Sequence, residues 1–389
     1  MRVGVLTTSY PRGPTDAAGL HVAGLARWLV ARGAAVEVVA AGPGDSHDGP
    51  IPIHRVGTRG LFYGGGAPEA LARSWAARAA APGFVGRLFA VAQRRARRWD
   101  AVITHWLLPC GLVGVALAGR RPHVAIAHSS DVHLLGRLPA GRLGARALAR
   151  SSARLVFVSD ELRRRFGRLC GRTVGTVAAM GTVRPPLAPP PPPRDAPLAV
   201  LFLGRLVPIK GLPVLLAAAR ALPRVSVVIA GEGPLGPSLG RGAPDNVRFV
   251  GPLCGSAKAA ALAAAHLLCV PSLPEPDGRT EGAPVVVAEA QAAGRPVVAS
   301  ATGGLPESVG DAGVLVPPGD PAALAHALGR LDADRALLAE LAERARARGP
   351  ARDWSVAGPQ ILGEAFLRRL AANGLHEGES SCTEGEPPL

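Results

Sequence analysis

The densest cluster of residues able to do chemistry is Asp277–Gly294, DGRTEGAPVVVAEAQAAG. Pro284 suits the first position of a helix, where a missing N–H costs nothing, and Gly294 suits its end, so the spacing predicts a helix from about Pro284 to Ala293. The start of a helix presents unpaired N–H groups at the positive end of its dipole, a ready anion site. Glu281 lies just before this helix and Glu289 within it. A carboxylate accepts hydrogen bonds from two neighbouring hydroxyls, the form a sugar or ribose offers. From spacing alone the pair fits equally well as a capping acid and an ordinary helix former. A second cluster is Phe202–Gly211, FLGRLVPIKG, where an apolar run ends at Gly204 and is followed by Arg205 and Lys210. Two cations at the carboxyl end of a parallel strand can hold a diphosphate, Arg by its fork and Lys as a point charge. Solvated loop cations would read the same way. A third is Ala127–His133, AHSSDVH, with His128, Asp131 and His133 after another apolar run. The last is Thr7–Gly24, a polar loop leading into a helix near Gly19, of the kind that cradles phosphate or sugar but without a G-x-G.

These clusters need a scaffold that delivers strand ends to one place. Short apolar runs alternate with Ala/Leu-rich helical stretches along the chain. The runs are Val3–Leu6, Val36–Ala40, Ala101–Thr104, His123–Ala127 and Leu155–Val158, then Ala199–Leu203, Ser226–Ala230, Val247–Val250, Leu267–Val270, Val297–Ala299 and Val314–Val316. They are continuous rather than alternating, as in parallel sheets buried on both faces, and the βα rhythm predicts doubly wound α/β domains. Pro185–Arg194, PPLAPPPPPR, is stiff and extended and cannot join a packed element. It divides the chain into a domain at 1–186, a linker at 187–195 and a second domain at 196–350. A further helix spans about 353–371, a Gly/Ser/Glu-rich tail at 372–389 reads as disordered, and residues 58–84 read as irregular.

Composition narrows the class. Residues 1–186 carry 26 arginines against nine acids, a balance of +17, whereas the remaining chain stands at −2. A basic half suits an anionic partner, and an arginine bias in the coding sequence would look the same. Only two lysines occur, Lys210 and Lys258. Arg87–Arg98, RLFAVAQRRARR, can be drawn as a helix with Leu88, Phe89 and Val91 near one face, either lying on anionic lipid or packed on its own domain. The five cysteines are scattered without a C-x-x-C pair, which argues against a disulfide framework or a zinc site. No apolar run reaches the roughly 18–20 residues of a membrane span, and the N-terminus turns polar too early for a signal peptide, so a cytoplasmic protein is expected. Two motifs are set aside. GEGPLG at 231–236 has the letters of a dinucleotide loop, but Pro234 removes a donor and no acid ends the next strand. Asp332-Ala-Asp334 resembles a metal-binding D-x-D but reads as the opening of a helix Ala333–Arg348.

Taken together the motifs resemble family 4 of the retaining glycosyltransferases, with the two-domain GT-B fold. The resemblance rests on Gly204-Arg205, Lys210-Gly211, Ala230–Pro234, Pro271-Ser272, Glu281–Pro284, Glu289-Ala290, Gly294, Pro296–Ala299, Gly303–Glu307 and Pro317–Asp320 in the second half. In the first half it rests on His128 and Val156–Leu162, and Trp354 resembles the segment that crosses back onto the first domain. The chain departs from the pattern at Ala18-Gly19, where Gly-Gly is common, at Ser129, where Gly follows the histidine, and at Ala179–Val183.

The resemblance implies a nucleoside diphosphate sugar as co-substrate and a hydroxyl acceptor, lipid-linked in many relatives. Arg205 and Lys210 would neutralise the leaving diphosphate, together with Gly282, Ala283, Pro284 and Val285 at the helix start. Glu281 would bind sugar hydroxyls and Glu289 the ribose. Gly204, Gly231, Glu232 and Gly233 would line the donor pocket, Gly19 would approach the diphosphate, and His128 would contact the sugar near the reacting carbon. Fixed cations take the place of a divalent metal, so neither metal nor other cofactor is expected. The anomeric configuration would be retained by front-face displacement. Neighbouring alternatives on the same fold are a sugar-nucleotide epimerase and an inverting transferase. A nicotinamide oxidoreductase lacks its phosphate loop here. A nucleic-acid-binding protein using the arginine-rich half would need stacking aromatics, which are only 4% of the chain, so no nucleic-acid partner is expected.

Overall fold

A computed structural model describes residues 1–13, 16, 18–58, 61–62, 69–71, 74–182 and 196–375. Eight strands form the first sheet: β1 (Arg2–Thr7), β2 (Ala35–Ala41), β3 (Ser46–Asp48), β4 (Ile51–Val56), β5 (Ala101–His105), β6 (His123–Ala127), β7 (Arg154–Phe157) and β8 (Thr176–Val177). Their order is β3-β4-β2-β1-β5-β6-β7-β8, parallel throughout except for the antiparallel β3–β4 pair. The second sheet is wholly parallel, ordered β11-β10-β9-β12-β13-β14, from β9 (Ala199–Leu203), β10 (Ser226–Ala230), β11 (Val247–Gly251), β12 (Leu267–Val270), β13 (Val297–Ser300) and β14 (Gly313–Val316). The passage between sheets, residues 183–195, and most of the expected tail lie outside the described residues.

Both faces of each sheet are covered, which is why the strands read as unbroken apolar runs. In β9, Val200 and Phe202 enter one core with Val227, Ile229 and Cys269, while Leu201 and Leu203 enter the other with Leu268 and Val297. The first sheet divides likewise, with Val3, Val5 and Val38 on one side and Leu6, Val39 and Val102 on the other. Cys110 and Cys269 are buried thiols within these cores. After the second sheet the chain returns to the first. Helices Trp354–Leu362 and Glu364–Leu375 place Trp354, Ile361, Leu362, Phe366 and Leu370 in the first core. Thr182 N–H donates to the Arg352 carbonyl at 2.7 Å, where the crossing meets the end of the first half. A Cβ at Gly24 or Gly181 would lie 2.6 Å and 2.5 Å from Trp354, so the indole fits because both flanking residues are glycine.

Several sequence expectations change. A 22-residue helix, Trp75–Ala96, covers part of the stretch expected to be irregular, with Pro82 inside it. Its residues Phe84, Leu88 and Ala92 are buried, and Phe89 and Val91 pack against the same core. The apolar side of Arg87–Arg98 is therefore covered by protein rather than offered to lipid. β3, β4 and β8 were not expected; β4 carries Pro52 and polar His54 and Arg55 near the sheet edge. Asp332 falls in helix Pro321–Ala333, and Asp334 caps the next helix, Arg335–Arg348, by accepting from Leu337 N–H at 2.9 Å. Among the described residues no helix is long and apolar enough to cross a membrane.

Candidate active site

In the second sheet the strand order reverses between β9 and β12, so the loops after these two strands flank a crevice, the place where open α/β sheets bind ligands. The loop after β9 is tied to the loop after β10: Gly204 N–H donates to Ala230 O at 3.0 Å and Leu206 N–H to Glu232 O at 2.8 Å. This approach needs glycine, because a Cβ at Gly231 would lie 1.8 Å from the Gly204 carbonyl oxygen and one at Gly233 would lie 2.5 Å from that of Leu206. Arg205 and Glu232 are exposed on these loops. A 3-10 turn, Pro208–Lys210, then points Lys210 inward.

Lys210 Nζ meets Glu281 Oε1 at 2.6 Å, with both side chains only 15% exposed, and Ser272 Oγ donates to the same oxygen at 3.1 Å. Burial works to raise the Glu281 carboxyl, but the Lys210 ammonium and its hydrogen bond, the Ser272 hydroxyl and the Arg205 charge outweigh it, so the group is held below its ordinary range. The helix beyond begins at Val285, one residue later than expected. Pro284 sits at its cap with φ −61° and ψ 123°, outside helical geometry. On that helix Glu289 Oε1 pairs with Lys258 Nζ at 2.5 Å. Each of the two lysines thus holds one of the two candidate carboxylates.

The first sheet reverses between β1 and β5. Gly19 caps helix Leu20–Val30 with φ 74°, and a Cβ there would lie 2.4 Å from the Ser9 carbonyl oxygen, so the loop after β1 closes only with glycine. His128 follows β6 directly. Asp131, grouped with it in the sequence, is fully buried and accepts N–H bonds from Leu107 at 2.7 Å, Ser129 at 3.0 Å and His128 at 3.2 Å. It fixes the loops that carry the histidine. His128 Nε2 lies 3.0 Å from His105 Nδ1, the two rings stacking at 5.2 Å, and the His21 ring is 4.8 Å from that of His128. Burial first, then the His21 and His105 rings, hold His128 well below its ordinary pKa, so it is a neutral imidazole. His133 turns to Asp277 of the second half at 3.1 Å.

The two halves meet along residues 275–283 and at Glu307, whose Oε2 accepts from Asp160 N–H at 2.7 Å. Ser129 Oγ donates to Thr280 O at 2.7 Å, Arg165 to Gly278 O at 2.7 Å, Arg137 to Asp277 at 2.9 Å and Arg279 to Glu69 at 2.8 Å. Ala283 packs on the first core, and a Cβ at Gly282 would lie 2.4 Å from the His128 carbonyl oxygen. Ser129 itself has φ 130°, a conformation suited to the glycine that the family pattern has there. The structure therefore brings His128, Glu281, Gly282, Ala283 and Lys210 together, with the Arg205 charge acting on Glu281. Gly19 joins them through helix Leu20–Val30, whose second residue is His21. Gly204, Gly231, Glu232 and Gly233 form the adjoining loop pair, and Val285 and Glu289 belong to the helix leading away. Sequence reasoning missed His21 and His105, and it noted Ser272 and Lys258 without assigning either a role.

Comparison with known proteins bears directly on this arrangement. Residues 18–178 match the family described as Glycosyltransferase Family 4, and residues 197–334 match Glycosyl transferases group 1. A D-inositol 3-phosphate glycosyltransferase of Xylanimonas cellulosilytica is 32% identical over 406 aligned positions, covering 92% of this chain and 94% of its own. The chain belongs to glycosyltransferase family 4. A Salinispora arenicola member of the same name is 38% identical over 206 residues, 47% of this chain, but that match spans less than half of the relative, 44%. Among solved structures, sucrose-phosphate synthase from Thermosynechococcus elongatus superposes with a TM-score of 0.74 at 23% identity, covering 96% of this chain and 99% of that one. HepE of Anabaena, solved with UDP-glucose, gives 0.69 at 21% identity, covering 96% and 100%. These two share the GT-B fold with the family-4 chain.

Proposed function

We propose that the protein is a retaining glycosyltransferase that moves a sugar from a nucleoside diphosphate sugar to a hydroxyl of an anionic acceptor. The observation that carries this reading is the Lys210–Glu281 pair, in which Lys210 of the loop after β9 meets Glu281 of the loop that precedes the helix Val285–Ala292 and packs on His128. A cation, a hydroxyl-binding carboxylate and the start of a helix stand together where a sugar diphosphate needs them. Lys210 and Arg205 would neutralise the diphosphate as it leaves, with the amides that open the helix assisting. Glu281 would accept from the sugar hydroxyls. Glu289 would keep Oε1 on Lys258 and offer Oε2 to the ribose. The backbone of Gly231–Gly233 would face the base, and neutral His128 would hydrogen-bond the sugar near its anomeric carbon. In a front-face displacement the acceptor oxygen bonds to that carbon as its bond to the phosphate oxygen breaks, and the acceptor's proton passes to the departing phosphate. With two cations at the diphosphate, this chemistry needs no metal there.

An anionic acceptor is supported by the +17 balance of residues 1–186 and by the inositol phosphate in the name of the Xylanimonas cellulosilytica relative. The test is a thermal-shift titration with UDP, GDP and ADP in the presence of EDTA, repeated with Lys210→Ala and Glu289→Ala. One diphosphate at 100 times its Kd is expected to stabilise the wild type by roughly 2.7 kcal/mol and neither variant. Absence of any shift overturns the donor site. Product analysis by NMR then reads the anomeric configuration, and inversion there overturns the retaining mechanism alone.

A further inference from the structure

Lys and Arg together number 44 in this chain, and only Lys210 and Lys258 are lysines. Both end on a carboxylate of the donor crevice, and both do so through one oxygen. Lys210 Nζ takes Oε1 of Glu281 at 2.6 Å, and Lys258 Nζ takes Oε1 of Glu289 at 2.5 Å. Among the described residues no donor meets Oε2 of Glu289, and that oxygen is not enclosed by protein.

Lys258 is the only charged residue of helix Gly255–Ala264, and Glu289 is the only one of helix Val285–Ala292. The two helices share a core, through Leu262 of the first and Val287 and Ala290 of the second. The paired side chains are 19% and 14% exposed. An arginine would tie the helices as firmly, and so arginine-rich a chain would be expected to use one. A guanidinium fork, however, matches both oxygens of a carboxylate, whereas an ammonium is a point charge that can satisfy one. Arginines of this chain show the difference. Arg27 reaches both oxygens of Asp48, Nε to Oδ2 at 2.9 Å and Nη2 to Oδ1 at 2.8 Å. Arg346 likewise takes both oxygens of Glu343.

We propose that Lys258 is a positioning residue for the donor nucleotide. Held on Oε1 alone, it fixes the Glu289 carboxylate and leaves Oε2 to accept from a ribose hydroxyl. An arginine in its place would close both oxygens, so the identity of this cation matters and not only its charge. The inference rests on the reading of Glu289 as the ribose carboxylate. It adds that a side chain of another helix, 31 residues away, decides how much of that carboxylate the nucleotide can use.

The test is calorimetric titration of the full chain with UDP, GDP and ADP and with the 2′-deoxy form of each. Wild type should prefer one ribonucleoside diphosphate over its 2′-deoxy form by roughly tenfold or more, because a site built around a hydroxyl rejects the analogue that lacks it. Lys258→Met frees Oε1 but lets the carboxylate turn, and should reduce that preference about threefold. Lys258→Arg conserves the charge and should reduce it further, until the two forms bind alike. A cation that serves only the fold or the local charge gives the reverse order, with arginine the milder change. A preference in Lys258→Arg equal to or above that in Lys258→Met, or the wild-type preference kept in either, overturns the inference alone. If circular dichroism shows one variant unfolded, the other is still judged against wild type. Wild type that binds none of the three, or binds ribo and deoxy forms alike, overturns the ribose reading and this inference with it.

Discussion

Lys210 and Glu281 are each 15% exposed, so neither can turn to bulk water when the other is removed. Lys210→Ala is expected to cost about 3 kcal/mol, the penalty for leaving a buried carboxylate without its cation. Adding Glu281→Gln should recover most of that loss, and urea denaturation of the single and double variants measures the coupling. The pair also sets a pH response. The folded Glu281 carboxyl lies below its ordinary value of 4.5, so its stabilising contribution is complete above that value and fades as pH falls through the lower folded one. The melting-temperature gap between wild type and Glu281→Gln should therefore shrink as pH falls below the ordinary value of 4.5; a gap that stays constant would mean that the pair contributes nothing. At this scale the sequence was informative where one side chain sufficed. Arg205, Lys210, Glu281 and Glu289 stand out by type and local position. Lys258 was visible as one of two lysines in an arginine-rich chain, but its partner lies 31 residues away. Nothing local links His21 to His105 and His128, because their meeting is set by strand order.

At the scale of elements, the crossing helix Trp354–Leu362 depends on one indole between two glycines. Trp354→Ala should cost about 3–5 kcal/mol as a large buried side chain lost from a core. Gly24→Ala, which places a methyl against the same ring, should cost about 1–3 kcal/mol. Thermal melts of both variants check this, and a neutral Gly24→Ala would mean that the helix can slide. The sheets were legible for a simple reason: strands such as Ala199–Leu203 are buried on both faces and read as unbroken apolar runs. β4 was not legible because Pro52, His54 and Arg55 interrupt it near the sheet edge, where polar groups are tolerated. The helix Trp75–Ala96 was hidden by Pro82-Gly83, a pair that ordinarily ends a helix and is here carried through by Ala77, Phe84 and Leu88 on the core.

For the whole molecule, residues 275–283 carry much of the seam between the two halves, beside the bond from Asp160 N–H to Glu307 and the returning C-terminal helices. Arg279 bridges Glu69 of the first half at 2.8 Å, with side chains 10% and 14% exposed. Arg279→Ala should loosen this seam, lower stability by about 1–3 kcal/mol and raise the radius of gyration in small-angle X-ray scattering. An unchanged profile would place the restraint on Ser129, Arg137 and Arg165 instead. Domain closure that excludes water needs such a seam to form and release.

The return of the chain to its first core also fixes an order of events during synthesis. Trp354, Ile361, Leu362, Phe366 and Leu370 complete a core whose other members begin at Met1, so the first half leaves the ribosome with one flank of helix Leu20–Val30 uncovered until nearly the whole chain has emerged. The second half, whose two cores are drawn from residues 198–341, has all its parts earlier and can settle first. A nascent chain stalled after residue 350 should thus show a protease-resistant second half beside a labile first one, although the first was translated before it.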